Sequence, residues 1–409
     1  MARRLFVHIG TPKSATTYLQ DSLWANRVAL QNGGLLIPVP NQGTFWRVAV
    51  HVRSFGVGGR TFDDTYERLL RRTKRWDGDV IITSEVLCAS RTDQARQFVE
   101  DMGFDEVHVI VTARDFARQV TAEWQQHVKA GLTASLPEFL SDIRDERRRT
   151  WFWLVQDLVR IVETWRPVVP ISQIHVVTVP KDSTDPALIW RRFLSVLDLD
   201  QDRYLPIAKN SNVSLDYEQV EVLRRFTGWR VAHGVVPGSE IAKLQLSRPM
   251  LDSLRAKRGS KIFLTREVQD WAVATSKAMA ADLAATGVSI CGSIDDLISD
   301  FSASSENDPP AEEEVFEAMS RMLEGTLLRE HQLKKRVNDQ VERLRVVKTD
   351  LVHANTQLQE RQFKIEDLNQ ELTRLNNELL HSRAIRSGVR VVVAGIKRRV
   401  SRLFRRSAA

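Results

Sequence analysis

Between Leu5 and Gln20 the sequence reads LFVHIGTPKSATTYLQ, and its chemistry lies in Lys13, Ser14, Ala15, Thr16 and Thr17. Apart from one lysine these residues are small or hydroxylated, a set suited to holding an anion. Leu5–Ile9 predicts a short buried strand, Gly10 breaks it, and a helix is expected from Thr16 with Leu19, Leu23 and Trp24 on one face. A tight turn between a strand and a helix N-terminus leaves N–H groups unpaired and aimed at one point, where the helix dipole also favours negative charge. The Lys13 ammonium adds a full positive charge, and the hydroxyls of Ser14, Thr16 and Thr17 add donors. Two more polar residues stand at predicted strand exits: Glu85 after VIITS and Arg114 after VHVIVTA. Three separated segments are therefore expected to meet in one cleft.

A nucleoside-triphosphatase loop needs G-x-x-x-x-G-K-[ST], with its lysine closing the glycine-rich run. Here Lys13 follows Gly10 by three residues and the second glycine is absent. The run P-K-S-A-T-T instead resembles the 5′-phosphosulfate loop of sulfotransferases, P-K-[ST]-[GA]-T-[TS]. An ordinary helix start with Ser/Thr capping is the alternative. In those enzymes an arginine just after a strand grips a 3′-phosphate, which Arg114 matches, since a guanidinium fork suits phosphate oxygens. Their serine eight residues later is Ala122 here, and the adjacent Thr121 is turned about 100° away on a helix. With the landmarks HIGTPKSATTYLQ, ITSEVL, VHVIVTARDFARQVTAEWQQHVK, FWLVQDL, HVVTVP and IWRRFLSVLDL, residues 1 to about 290 look like a sulfotransferase-family protein of the type found in actinobacteria.

That resemblance implies an α/β fold related to P-loop kinases that binds 3′-phosphoadenosine 5′-phosphosulfate (PAPS), with no metal needed for transfer. Lys13 would be the catalytic cation at the phosphosulfate bridge, with Ser14, Ala15, Thr16, Thr17 and Arg114 holding the phosphates. Moving a sulfuryl group to a hydroxyl also needs a base; Glu85 is the first candidate, His51 and His8 the rivals. The acceptor would be a hydroxyl of a glycan, lipid or small molecule. RAKRGSKIFLT, Arg255 to Thr265, distantly resembles a basic loop that closes over PAPS, and reads equally as an exposed basic turn. Two other readings stand beside this one. The first is a degenerate domain acting as an interaction protein through a coiled coil, which Ala122 favours. The second is a nucleotide kinase, in which the end of VIITSE would hold magnesium.

The elements that must position these residues are legible as apolar runs. Strands are expected at 34–39, 80–84, 107–113 and 174–179, and helices at 65–76, 92–101 and, following Arg114 and Asp115, to about 129, with residues 40–61 a surface loop beside the site. Continuous apolar strands alternating with helices predict a parallel sheet covered on both faces, with ligands at the carboxyl ends of its strands. Residues 186–285 read as mostly helical, one helix starting within Val213–Tyr217 with Ser214 as its cap.

The organisation expected is an α/β domain over 1–298, an acidic linker over 299–314, a coiled coil over 315–382 and a basic amphipathic tail over 383–409. Val337, Leu344, Leu351, Leu358, Ile365, Leu372 and Leu379 recur every seven residues, with Gln340, Val347, Ala354, Arg361, Leu368 and Leu375 as companions. Sustained heptads argue for a coiled coil, with a lone amphipathic helix folding back onto the domain as the alternative, and a homodimer is the expected assembly. The net charge of +7 is unevenly placed, because nine basic and no acidic residues lie between Arg383 and Ala409. Removing those nine leaves the rest at about −2, so the basic character belongs to the tail, which suits an anionic membrane surface or another acidic partner and reads equally as a solvated tail with no specific ligand. No nucleic-acid partner is expected. Two cysteines form neither a disulfide framework nor a zinc site of usual spacing. The N-terminal apolar run is too short for a signal peptide, and none approaches the roughly 18 residues of a membrane span. The expected location is the cytoplasm, with the tail as a route to a membrane periphery.

Overall fold

The computed structural model describes residues 3–57, 61–145, 150–181, 184–207, 215–234, 260–262, 264–301, 309–381 and 389–405. Its strands are β1 (Arg4–Gly10), β2 (Leu35–Leu36), β3 (Asp79–Thr83), β4 (Glu106–Ala113), β5 (Ile174–Thr178) and β6 (Ser289–Cys291). All pair in parallel, in the order β2-β3-β1-β4-β5-β6. Parallel neighbours can be joined only by crossovers, and the helices that make them cover the sheet. Hence β1 is buried without alternation: Leu5, Phe6, Val7, His8 and Ile9 are each at most 1% exposed.

Between β1 and β3 run α1 (Thr16–Ala25), α2 (Arg27–Asn32), then β2, α3 (Gln42–Ser54) and α4 (Asp63–Lys74); α5 (Thr92–Met102) leads into β4. After β4 come α6 (Phe116–Lys129), α7 (Leu136–Asp145), α8 (Trp151–Gln156) and α9 (Leu158–Trp165); after β5 come α10 (Leu188–Val196), α11 (Tyr217–Ala232) and α12 (Arg266–Ala285). Beyond β6 lie α13 (Glu312–His381) and α14 (Val389–Arg405). The architecture is thus α/β, a six-stranded parallel sheet flanked by helices and followed by a long C-terminal helix.

Several elements differ from expectation, each for a local reason. The stretch expected to be a loop at 40–61 contains α3. Asn41 caps it by accepting from the Thr44 N–H at 3.1 Å, and Phe45, Val48, Ala49 and Val52 form its buried stripe. The expected strand at 34–39 pairs over only two residues, since Pro38 and Pro40 have no N–H to offer a ladder. β6 is an unforeseen three-residue strand that adds to the open edge of β5. α11 starts at Tyr217, where Gln219 Oε1 accepts from the Asp216 N–H at 3.1 Å. Val213 and Ser214 lie outside the described residues.

The chain divides into two compact units, Met1–Thr326 and Leu327–Ala409. The first unit takes in the opening turns of α13: Val315, Ala318 and Met322 are buried, and Glu312 pairs with Arg225 at 2.6 Å. Ser299 is buried as well, accepting from the Ala117 N–H at 3.0 Å. In the second unit the heptad side chains of α13 are exposed: Val337 55%, Leu344 67%, Leu351 68% and Leu358 57%.

Candidate functional site

The site is built around the loop that leaves β1. Gly10 has φ +107°, and a Cβ there would come within 3.0 Å of the Glu85 Cα and carbonyl oxygen. Only glycine lets the exits of β1 and β3 approach so closely. Lys13 (φ 62°) and Ala15 (φ 64°) both take left-handed backbone. Residues of that kind interspersed in a tight turn aim successive N–H groups to one side, making a concavity for an anion. Ala15 is also the N-cap of α1, whose first N–H groups have no partner within the helix. Thr11 pins the loop to β4, its N–H donating to the Thr112 carbonyl at 2.8 Å. Ser14 is fully buried, its Oγ 2.5 Å from the Thr11 carbonyl oxygen and 2.6 Å from Thr112 Oγ1. Its hydroxyl therefore shapes the loop, which leaves its backbone as the group able to serve a ligand. Thr16 is buried and Thr17 half-buried.

Lys13 lies between two carboxylates. Its Nζ donates to Gln126 Oε1 at 2.7 Å. Burial lowers its pKa, while Glu123 and Glu85 oppose that shift through space. Glu123 is 2% exposed, and burial raises its pKa against the pull of Lys13 and of the hydrogen bond from Gln156 Nε2 at 3.2 Å. Gln119 Nε2 and Gln156 Nε2 donate to the Pro12 carbonyl at 2.8 and 3.1 Å, holding the residue before the lysine. Glu123 and Gln126 are functional candidates that sequence reasoning missed. The available signal was a polar stripe, Gln119, Glu123 and Gln126, on a helix that otherwise buries Phe116, Val120, Trp124 and Val128.

Glu85 opens a short 3₁₀ turn directly after β3 and is half-buried, its Oε2 accepting from Gln20 Nε2 at 3.2 Å. Arg114 stands at the exit of β4, next to the α6 N-cap Asp115. The Asp115 carboxylate accepts from the Arg118 backbone N–H at 3.1 Å and pairs with the Arg118 guanidinium. Among the described residues no carboxylate forms an ion pair with Arg114, whose guanidinium donates to the Lys13 carbonyl at 3.5 Å. Burial first, and Arg118 second, pull its pKa down to about 10, with Asp115 opposing. A half-buried guanidinium with no ion-pair partner among the described residues, beside a helix N-terminus, attracts negative charge. β3, β1 and β4 are adjacent, so Glu85, Lys13 and Arg114 share one end of the sheet.

The rival bases are otherwise engaged. His8 is fully buried, its Nδ1 2.8 Å from Thr83 Oγ1 and its Nε2 3.2 Å from Thr112 Oγ1; burial drives its pKa down to about 3. His51 Nδ1 accepts from the Phe62 N–H at 3.1 Å, and its ring packs on Phe55 and Tyr66. Thr121 directs its hydroxyl back to the Ala117 and Arg118 carbonyls of its own helix at 3.4 and 3.3 Å, so it does not substitute for a hydroxyl at Ala122. Most of the basic segment Arg255 to Thr265 lies outside the described residues. Among the described residues no group of three His, Cys, Asp or Glu side chains is arranged to hold a metal.

No family model matches the sequence, and no curated protein matches it. Among solved structures the chain is similar to a sulfotransferase from Alicyclobacillus acidocaldarius, at 17% identity and a TM-score of 0.37, over 57% of this chain and 94% of that one. A likeness that weak carries no argument about chemistry.

Proposed function

We propose that the first unit is a PAPS-dependent sulfotransferase acting on a hydroxyl of a glycan, lipid or small molecule. The observation that carries this reading is the pairing of Lys13 and Arg114, two half-buried cations at the exits of adjacent strands, with no carboxylate ion-paired to Arg114 among the described residues. Two phosphate sites at the two ends of one nucleotide account for both. The backbone N–H groups of Ser14, Ala15, Thr16 and Thr17 would hold the 5′-phosphate and Arg114 the 3′-phosphate. PAPS bound there would supply the sulfuryl group and leave as the 3′,5′-bisphosphate. Lys13 would neutralise the charge that grows on the bridging oxygen as the S–O bond breaks. Glu85, half-buried at the mouth of the same loop, would take the acceptor's proton as its oxygen bonds to sulfur. Glu123, sealed beside Lys13, suits the positioning of the ammonium better than contact with an acceptor.

The test is calorimetry with 3′-phosphoadenosine 5′-phosphate, adenosine 5′-phosphate and ATP–Mg²⁺. Binding of the bisphosphate in EDTA is expected, and Arg114→Ala should weaken it by about 1.5–3 kcal/mol, the range for hydrogen bonds to charged groups. The same substitution should leave adenosine 5′-phosphate nearly unaffected. Tight ATP–Mg²⁺ binding with no bisphosphate binding would establish the kinase reading instead. A second reading is favoured by Ala122 and by the inward-turned Thr121 hydroxyl: a degenerate domain that works through α13. It predicts no measurable affinity for any of the three ligands.

A further inference from the structure

The helix α14 has no role in the chemistry above. Val392, Val393, Ile396 and Val400 fall at i, i+1, i+4 and i+8, one stripe of a helix, and the sequence continues the period at Val389 and Leu403. Lys397, Arg398, Arg399 and Arg402 lie off that stripe and are exposed. Among the described residues none of these four pairs with a carboxylate, and no acidic residue occurs between Arg383 and Ala409 to neutralise them. A solvated charged helix of a soluble protein ordinarily mixes both signs; this one carries a single sign opposite an aliphatic face.

Among the described residues no helix is long and apolar enough to cross a membrane. At 17 residues, α14 is about 25 Å long, and its charged flank would have to enter hydrocarbon if it stood upright. Lying flat, it can sink its aliphatic stripe below the headgroups while the basic side chains stay among lipid phosphates and carboxylates.

We infer that α14 is an interfacial anchor that docks on an anionic phospholipid bilayer. Both faces are needed: charge gathers the helix to the surface, and Val393, Ile396 and Val400 hold it there. An acidic protein groove would use the same charges, but a lipid surface is the partner that asks for no particular side-chain register along so regular a helix.

The experiment is co-sedimentation of the full chain with phosphatidylcholine vesicles, with and without about 30 mol% phosphatidylserine. Binding is expected only with the anionic lipid, weakening from about 0.1 to 0.5 M salt. Arg398→Gln with Arg402→Gln should lower vesicle affinity about 20- to 30-fold, near fivefold per charge removed. Ile396→Ser with Val400→Ser, which keeps every charge, should lower it by at least tenfold. An unchanged thermal transition of the first unit would show that either variant still folds. Equal binding to neutral vesicles, no binding to anionic ones, or full binding by the serine variant would each overturn the proposal. So would capture of the chain by polyglutamate as tightly as by anionic vesicles, with the same loss in both variants; that outcome identifies an acidic protein as the partner.

Discussion

At the scale of single residues, the site is organised by what burial does to charge. Lys13 is held by Gln126 and flanked by Glu85 and Glu123, so its ammonium is fixed before any ligand arrives. If it acts at the bridging oxygen, Lys13→Ala should cut turnover about 10²- to 10³-fold, the cost of losing one such preorganised donor. Bisphosphate affinity should change much less, since that charge matters most as the bond breaks. Steady-state rates beside calorimetry test this; equal losses in both would make Lys13 a ground-state clamp. Glu85→Gln should abolish turnover and keep binding, and unchanged turnover would remove Glu85 as the base. His8 makes a prediction about pH. Its folded-state pKa is about 3, against roughly 6.5 when unfolded. Between those values the unfolded chain binds the extra proton, so stability is intact above pH 6.5 and falls as pH drops, by about 1.4 kcal/mol per pH unit. Urea unfolding at pH 7, 6 and 5 should give a slope that His8→Gln lowers by one proton. The same slope in both proteins would mean that His8 is protonated in the folded state.

At the scale of elements, the loop after β1 places a non-glycine residue in the left-handed region at Ala15, which costs about 1–2 kcal/mol. Ala15→Gly would relieve that cost while loosening the unfolded chain by about 0.4–1 kcal/mol. The expected result is a net gain of between zero and about 1.6 kcal/mol in chemical denaturation, and a loss would show that the Ala15 methyl is packed. Elements were legible in proportion to how far their signal was local. β1, β3, β4 and β5 are apolar runs, broken at His8, His108 and His175, because both faces of the sheet are covered, and the small residues around Lys13 announce a turn on their own. α3 was hidden because Gly43 and the glycines after Ser54 look like loop, although its Asn41 cap was in plain view. β6 could not be read from three residues, since the open edge of β5 is what makes them a strand. Glu123 and Gln126 gain meaning only when α6 is laid against a loop 110 residues earlier in the chain.

At the scale of the whole molecule, α13 is one helix of 70 residues, about 105 Å long. Its heptad side chains from Val337 to Leu358 are more than half exposed in the single chain, a large apolar seam to leave open to water. The seven-residue period points to another helix as its cover, and a second copy offers the matching seam in register. We expect a parallel homodimer, with Gln340 and Arg361 weakening the seam where they enter it. Light scattering should give twice the mass of one chain for the full protein and a single mass for a chain ending near Thr326, which keeps Val315, Ala318 and Met322. Monomers in both cases at micromolar concentration would exclude self-association and point to a different partner helix.

The strand order has a consequence for the timing of synthesis. β1 carries the loop and is made before either strand that flanks it, β3 ending at Thr83 and β4 at Ala113. No pairing of β1 is possible until β3 has emerged, and the Arg114 side of the cleft waits for β4. The strand that carries Leu5, Phe6, Val7 and Ile9 is therefore also the one that must wait longest, exposed, for its neighbours. A nascent chain stalled anywhere in between presents Leu5–Ile9 as an open edge, the kind of segment that aggregates or is sheltered by a chaperone. The central placement that makes β1 the best-protected strand in the finished protein makes it the most vulnerable one on the ribosome.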